Sequence, residues 1–243
     1  MFIFSGYTYL GARYYSDGIM QWLSVDPMSD KYPSVSPYMY CAGNPIKYFD
    51  PNGEDIWIVN SSGNKVKYTP NMTTEGCDNY TIETINALNK LSETKTMGYY
   101  INGFANTSVQ QISIIENTGF SEARPNVGKT SWPVQNILYD PSIGIEDIVT
   151  GESFSPALSL GHEFGHIISA IIDPLGFNSR LEQKRNDEWN NEEEYYNITN
   201  FEHKIAEEWN ELKRTSHSLN DKDGNPQYRD VKMKNSTSNE RFE

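Results

Sequence analysis

A histidine pair inside an apolar helix is the feature that most constrains how this chain can fold. His162 and His166 are four positions apart in a run whose other residues are mostly apolar. Ser155 is a favourable N-cap, a proline follows it at the first helical position, and an Asp-Pro pair ends the run. Residues four positions apart share one helical face. The sequence therefore predicts a buried helix over residues 156–172 with two imidazoles on one face.

The same motif indicates a metal site. Buried imidazoles need polar partners, and two at this spacing can hold one tetrahedral zinc ion. Glu163 is then placed to accept a proton from activated water and to return it to a leaving amine. The alternative is a structural helix with one polar face. The apolar neighbours, and the location here of two of the four histidines in the chain, favour zinc-dependent hydrolysis of a peptide bond.

A third protein ligand is expected on a second amphipathic helix, over residues 190–212. Its apolar residues recur at steps of three and four. Glu202 lies within that apolar stripe and is the first candidate. Glu194 is the second candidate, although acidic residues at a helix start also complement the helix dipole. His203 is an alternative ligand or a partner of one.

The segment before these helices mixes strands with a helix. Residues 55–59 and 65–68 predict a hairpin, and residues 81–93 have the periodicity of an amphipathic helix. Residues 110–115 and 134–139 read as strands, the latter either an edge strand that pairs with an extended peptide or an ordinary internal strand. The expected fold class is α+β, of the zincin type that the histidine motif indicates.

Composition excludes two classes of protein. The 243 residues carry 33 acidic and 20 basic side chains, a formal net charge of −13. Such a chain is not expected to bind nucleic acid or an anionic membrane surface. No apolar run reaches the roughly 18 residues that a membrane-spanning helix needs, and the first residues lack the features of a signal peptide.

Residues 7–53 differ in character from the rest of the chain. They are rich in Tyr, Gly, Pro and Asp, with short aromatic bursts separated by Asp-Pro, Asn-Pro and Asp-Gly pairs. This pattern predicts brief strands and turns. A segment of this size is marginal as an independent domain, so it is expected to be the end of a larger β structure.

Three stretches of that segment resemble the C-terminal end of the Rhs/YD-repeat-associated core of bacterial polymorphic toxins. They are residues 11–15 (Gly-Ala-Arg-Tyr-Tyr), residues 22–27 (Trp-Leu-Ser-Val-Asp-Pro) and residues 44–53, which end in Asp-Pro-Asn-Gly. The resemblance implies an upstream β shell, an exchangeable toxin after residue 53, a cognate immunity protein, and secretion or delivery into a target cell by a specialised system. Many members cut themselves after Asp-Pro-x-Gly-Leu, but Glu54 replaces the leucine here.

Residues 193–217, after the histidine motif, resemble the effector-type zinc metalloproteases that enteropathogens inject into host cells, which are similar in layout to the clostridial neurotoxin light chains. The resemblance implies Glu202 as the zinc ligand and Arg214 as the group that polarises the scissile carbonyl. His217 stands where that family usually has a tyrosine, and a histidine can also donate to a developing oxyanion. The alternative for Arg214 is a solvated pair with Lys213 at a helix C-terminus.

These observations predict three parts: the end of an Rhs core at 1–53, a zinc metalloprotease toxin domain at 54–218, and a polar flexible tail at 219–243. The partners expected are a protein or peptide substrate, the immunity protein and the upstream shell. Two alternatives stay open. One is a degenerate, non-enzymatic fragment that only binds a partner, and the other is a zinc hydrolase that acts on something other than peptides.

Overall fold

A computed structural model gives the fold, which is mixed α+β. None of the helices in the described ranges combines the length and apolar character that crossing a membrane requires. The structure describes residues 3–4, 7–9, 14–16, 21–25, 36, 54–105, 110–125, 135–185, 189–218 and 224–242.

The first described residues form a small antiparallel meander. Its strands are paired in sequence order: β1 (Ile3–Phe4), β2 (Tyr7–Tyr9), β3 (Tyr14–Ser16) and β4 (Gln21–Trp22). These brief strands agree with the pattern of short strands and turns. The stretch from Asp50 to Gly53, where self-cleavage is in question, lies outside the described residues.

A five-stranded sheet forms one layer of the main fold, in the order β6-β5-β7-β9-β8. The three central strands are parallel, and β6 and β8 are antiparallel to their neighbours. The hairpin and both predicted strands are confirmed. The strands are β5 (Glu54–Val59), β6 (Lys65–Lys67), β7 (Gln110–Glu116), β8 (Glu122–Arg124) and β9 (Gln135–Tyr139).

The position of β9 decides between the two alternatives for that strand. β9 pairs with β7 on one side and with β8 on the other. It is therefore internal, and the expectation of an edge strand there is wrong. The edge strand on this side of the sheet is β8, in which Ala123 is opposite Ile137 of β9.

The helices cover this sheet and build the core with it. The predicted helices at 81–93 and 156–172 are confirmed within two residues. The helices are α1 (Asn79–Ser92), α2 (Gly98–Ala105), α3 (Pro156–Ile172), α4 (Pro174–Glu182), α5 (Glu192–Asn197) and α6 (His203–Trp209). α3 is buried along nearly its whole length and packs on α1, α5 and β8.

The second predicted helix is not continuous. A π-helical turn, Ile198–Glu202, separates α5 from α6, with the backbone N–H of His203 bonded to the carbonyl of Ile198. α6 ends at Trp209, because Asn210 adopts a left-handed conformation at φ 53°. The helix therefore ends three residues earlier than predicted.

A second sheet contains residues that were expected to be a flexible tail. It has the order β11-β10-β12 and is antiparallel throughout, with β10 (Ile143–Asp147), β11 (Ser153–Phe154) and β12 (Tyr228–Lys232). Beyond β12, Ser236 is fully buried, and its hydroxyl donates to the carbonyl of Glu83 in α1. The tail prediction is thus corrected for residues 224–242, which belong to the folded domain.

Candidate metal centre

The two histidines of α3 turn the same ring nitrogen toward one point. His162 and His166 are 4% and 7% exposed, and their Nε2 atoms lie 3.2 Å apart. Their rings are nearly perpendicular, at 85°. Two unprotonated nitrogens this close in a buried site gain from a cation between them.

A third group, the Glu194 carboxylate from α5, completes this convergence. Its Oε2 lies 3.5 Å from Nε2 of His162 and 3.3 Å from Nε2 of His166. Ligand atoms about 2.0–2.1 Å from a tetrahedral zinc ion are about 3.3–3.4 Å apart, which matches all three separations. Within the described part of the chain this buried oxygen accepts no well-directed hydrogen bond. The donor set and its spacing therefore fit zinc, with His162, His166 and Glu194 as the residues that would hold it.

The other nitrogen of each imidazole faces a second, fully buried carboxylate. Nδ1 of His162 lies 2.8 Å from Oε2 of Glu202, although the direction departs from that of an ideal hydrogen bond. Nδ1 of His166 lies 3.4 Å from Oε1 of Glu193. A carboxylate at Nδ1 fixes the tautomer and leaves Nε2 free to ligate.

Each of these carboxylates is in turn held by an arginine. Arg214 donates from Nε and Nη2 to the two oxygens of Glu202, and Nε of Arg180 lies 2.6 Å from Oε2 of Glu193. Two parallel chains result, each running from arginine through glutamate to histidine. Because all four carboxylate and guanidinium groups are largely buried, each charge requires its partner.

Glu202 lies at Nδ1 of His162, away from the converging Nε2 atoms, so the geometry favours Glu194, the second candidate, over Glu202 as the third group of a metal site. His203 is also outside the cluster, since its Nε2 contacts the carbonyl of Arg214 at 2.6 Å. The π turn explains how one helix supplies both carboxylates. Residues eight positions apart lie about 80° apart on a regular α-helix, whereas one extra residue in a π turn brings them nearly into line.

Close packing fixes this helix against α3. A Cβ atom built on Gly165 would lie 1.9 Å from Oδ1 of Asn197, and one on Gly161 would lie 2.8 Å from Cδ1 of Ile205. Nδ2 of Asn197 donates to the carbonyl of His162 at 2.9 Å. Gly165 therefore lets α5 and the π turn approach close enough for Glu194 to reach the histidines, and Gly161 allows the same close approach of α6.

The carboxylates control protonation of the histidines. Burial lowers the pKa of His166, but its contacts with the carboxylates of Glu193 and Glu194 outweigh this effect and raise that pKa to about 10. The pKa of His162 is also raised, since contacts with Glu194 and Glu202 exceed the effect of burial. Burial raises the pKa of Glu194 and Glu202, yet their cationic partners hold both far below the usual range. The pocket is thus built for positive charge.

Glu163 lies beside the cluster and is oriented by the edge strand. One of its carboxylate oxygens is within 4.8 Å of a ring nitrogen of each of His162 and His166. Its Oε2 accepts a hydrogen bond from the backbone N–H of Ala123 in β8, at 2.6 Å. This places a carboxylate next to the point of convergence without making it part of the inner set, as a proton carrier requires.

His217 also reaches this site. Its Nε2 lies 3.3 Å from Oε2 of Glu194, and its ring stacks on that of His162 with centroids 5.8 Å apart. Burial is the main cause that lowers the pKa of His217 to about 4, so the ring is neutral at pH 7. The amide nitrogen of Asn190, 2.7 Å away, donates to Nδ1, which leaves the proton on Nε2.

Arg214 is not the solvated residue of a helix terminus. It is 5% exposed and lies five residues beyond the end of α6, with its guanidinium over the ring of Phe154. Burial lowers its pKa, but the charge of Glu202 outweighs this and raises it. Arg214 also lines a cavity that Glu163 and His217 share. The structure therefore brings Arg214 to the site, where it is paired with Glu202 on the Nδ1 side of His162.

Two cavities flank the convergence point. One, of about 260 Å³, is lined by Phe120, Ser121, Glu163 and His217 among others. The other, of about 410 Å³, is lined by residues that include Ala123, Pro125, His166, Phe177, Leu181 and Glu194. Residues 120–125, which contain β8, line both cavities in turn. The segment that contains the edge strand therefore borders both cavities.

Sequence reasoning missed Glu193, Arg180 and Ala123 as parts of the site. Glu193 carried a weak signal, since it is an acidic residue directly before the alternative ligand. Arg180 and Ala123 carried none, because their roles depend on where α4 and β8 lie in the fold. Neither a family model, a curated protein nor a solved structure matches the chain.

Proposed function

We propose that this chain is a zinc-dependent endopeptidase with a zincin-like fold. The observation that carries the proposal is the convergence of Nε2 of His162, Nε2 of His166 and Oε2 of Glu194 at separations of 3.2–3.5 Å, with Glu163 beside them. A zinc ion bound by those three residues supplies a Lewis acid that activates water and polarises a carbonyl group.

The remaining chemistry belongs to the side chains of the chain. Glu163 takes a proton from the attacking water and delivers it to the nitrogen of the leaving amine, while the N–H of Ala123 keeps its carboxylate in place. Nε2–H of His217 donates to the oxyanion that develops on the scissile carbonyl.

Arg214 supports the position of His162 rather than contacting the scissile carbonyl itself. Both of its bonds to Glu202 support the carboxylate that orients His162. Arg180 supports His166 in the same way, through Glu193. The sequence resemblance assigned Arg214 to the scissile carbonyl, and the geometry favours a positioning role instead.

The edge strand gives the site a means of holding an extended peptide. β8 pairs with β9 on one side only. On its other side the N–H of Ala123 is bonded to Glu163, and residues of the segment 120–125 border both cavities. An extended chain can add to such an edge through main-chain hydrogen bonds and place alternate side chains into pockets. This arrangement supports a protein or peptide as the substrate.

We further propose that the peptidase is the toxin of an Rhs-type polymorphic toxin. The proposal rests on the resemblance of residues 11–53 to the end of an Rhs core and on the short strands there. An upstream shell, a cognate immunity protein and delivery into a target cell by a specialised secretion system follow from it.

Glu163→Gln tests the enzymatic proposal. The zinc-loaded wild type is incubated with a whole-cell lysate and new protein termini are mapped. We expect new termini that Glu163→Gln abolishes while zinc stays near one per chain. Glu240→Gln, which removes an exposed charge on another part of the surface, is the matched control. Termini that persist in Glu163→Gln contradict the proposal. Zinc binding without any new termini favours a zinc hydrolase that acts on other bonds.

A further inference from the structure

The cavity of about 260 Å³ beside Glu163 has the features of a side-chain pocket. Its walls are largely apolar, with Ile143, Ile145 and Phe154 from the second sheet. Glu163, His162 and His217 form its catalytic edge. A cavity of this size and lining accepts one amino-acid side chain rather than a large ligand.

Its location assigns the cavity to one side of the scissile bond. The group that protonates the leaving amine must lie on the amine's side of that bond. Glu163 lines this cavity, whereas His166 and Glu194 line the cavity on the opposite side. The pocket beside Glu163 therefore receives the side chain of the residue that supplies the leaving nitrogen.

Three charged residues line this pocket: Glu163, Arg214 and Asp230. Asp230 of β12 is opposite Ile145 of β10, so both side chains project from the same face of the sheet into the cavity. Glu163 and Arg214 are engaged by other groups of the protein. In the described part of the chain no hydrogen bond or ion pair engages the carboxylate of Asp230, although the charge of Arg214 acts on it. The pocket thus combines apolar wall residues with one exposed carboxylate that has no direct partner.

We infer that this pocket selects a lysine or arginine side chain at the residue after the scissile bond, with Asp230 as the specificity determinant. The inference rests on the proposed peptidase function. The aliphatic stem of such a residue packs on Ile143, Ile145 and Phe154 while its charged end reaches Asp230. Partial burial raises the pKa of Asp230 against the opposing effect of Arg214, and a cation bound there would favour the charged form of its carboxylate. The net charge of −13 acts in the same direction, since it attracts basic segments.

A peptide library derived from a whole proteome tests the inference. The zinc-loaded full chain is incubated with the library, and the first residue of each new fragment is read by mass spectrometry. We expect lysine and arginine to be enriched there about five- to tenfold, as for a partly buried ion pair. Asp230→Asn is expected to remove the enrichment while cleavage before uncharged residues continues. Asp230→Lys is expected to shift the preference to aspartate and glutamate. Glu240→Gln, with the same change in net charge, is expected to keep the wild-type preference.

The outcomes separate this inference from the proposed function. Cleavage that depends on Glu163 but shows no enrichment of basic residues overturns the inference alone. Enrichment that persists in Asp230→Asn also overturns the inference, because another group must then select the cation. Absence of any Glu163-dependent cleavage overturns both proposals. Wild-type-like cleavage before uncharged residues shows that Asp230→Asn remains folded.

Discussion

Glu194 and Glu202 contact opposite nitrogens of one imidazole, that of His162. Glu194 lies 3.5 Å from Nε2, and Glu202 lies 2.8 Å from Nδ1. The first position suits a metal ligand and the second suits a group that orients a ligand. Under the proposed function, the two carboxylates therefore have different roles, set by which side of the ring they face.

This difference predicts unequal effects on zinc binding. Glu194→Ala removes a ligand and is expected to weaken zinc affinity by more than about 100-fold. Glu202→Gln keeps an acceptor near Nδ1 and is expected to weaken it by about 10- to 100-fold, the usual effect of losing a supporting carboxylate. Competition with a chromophoric chelator measures both. A larger loss in Glu202→Gln would return the ligand role to Glu202.

His217 is expected to affect catalysis more than metal binding. Because its Nε2 carries a proton, it serves as a donor rather than as a ligand. His217→Ala is expected to lower kcat about 10²- to 10³-fold, as removal of one oxyanion donor does, with zinc content unchanged. Metal analysis after dialysis and peptide cleavage assays provide the two readouts. Loss of zinc from His217→Ala would instead identify it as a fourth ligand.

Zinc binding is expected to release protons at pH 7. In the metal-free protein the pKa of His166 is about 10, above its usual value of 6.5. The interactions that raise this pKa also stabilise the metal-free fold. Their contribution is complete below about pH 6.5 and is lost as pH rises through about 10. Zinc requires the unprotonated nitrogen, so at least one proton must leave and affinity must rise with pH. Titration calorimetry in buffers of different ionisation enthalpy counts the protons. A count of zero would contradict the prediction.

Gly165 and Gly161 form a matched pair for testing helix contact. Gly165→Ala places Cβ 1.9 Å from Oδ1 of the fully buried Asn197 and is expected to destabilise the fold by about 1–3 kcal/mol. Gly161→Ala meets only the ends of two flexible side chains, and alanine also favours the helix. Its cost is expected to be smaller. Urea unfolding of the metal-free proteins measures both, and equal costs would contradict the packing argument.

The chain from Arg180 to His166 is expected to carry much of the stability near the site. Arg180→Met removes one of the two cations that face the fully buried Glu193 and leaves protonated His166 as the other, so it is expected to cost about 1–3 kcal/mol. The exposed pair of Lys234 and Glu240 is the control, and Lys234→Met is expected to cost at most about 1 kcal/mol. Thermal unfolding with a chelator present compares the two. Similar shifts in Tm would show that His166 or water, rather than Arg180, compensates Glu193.

The sequence was informative where periodicity and local chemistry agree. α3 was predictable because a favourable start, an uninterrupted apolar run and an Asp-Pro stop all mark the same helix. The relative positions of the two histidines and Glu163 could be predicted together with α3, because they depend only on helical geometry. The central strands were predictable because each contains a short run of Ile, Val, Leu or aromatic residues.

The sequence alone could not show which of Glu194 and Glu202 faces the Nε2 atoms, because the π turn breaks the periodicity on which that choice depended. The fold of residues 224–242 could not be predicted for a different reason. β12 contains one buried residue, Tyr228, and most of the residues that follow it in the strand are charged and exposed. Ser236 is buried by hydrogen bonds rather than by apolar character. Polar burial of this kind depends on distant partners such as Glu83, which no local pattern shows.

The π turn gives the helix a one-residue offset between its two halves. Deleting one residue within 198–201 would restore regular α-helix and leave Glu194 and Glu202 seven positions apart, still on nearly the same face. Inserting one more residue there, in regular α-helical conformation, would instead rotate everything after it by about 100° relative to α5. Glu194, before the turn, would keep its place beside both histidines, whereas Glu202 would turn away from His162. Under the proposed function, metal ligation and its support are therefore separable by an insertion, without replacing any of the side chains that perform them.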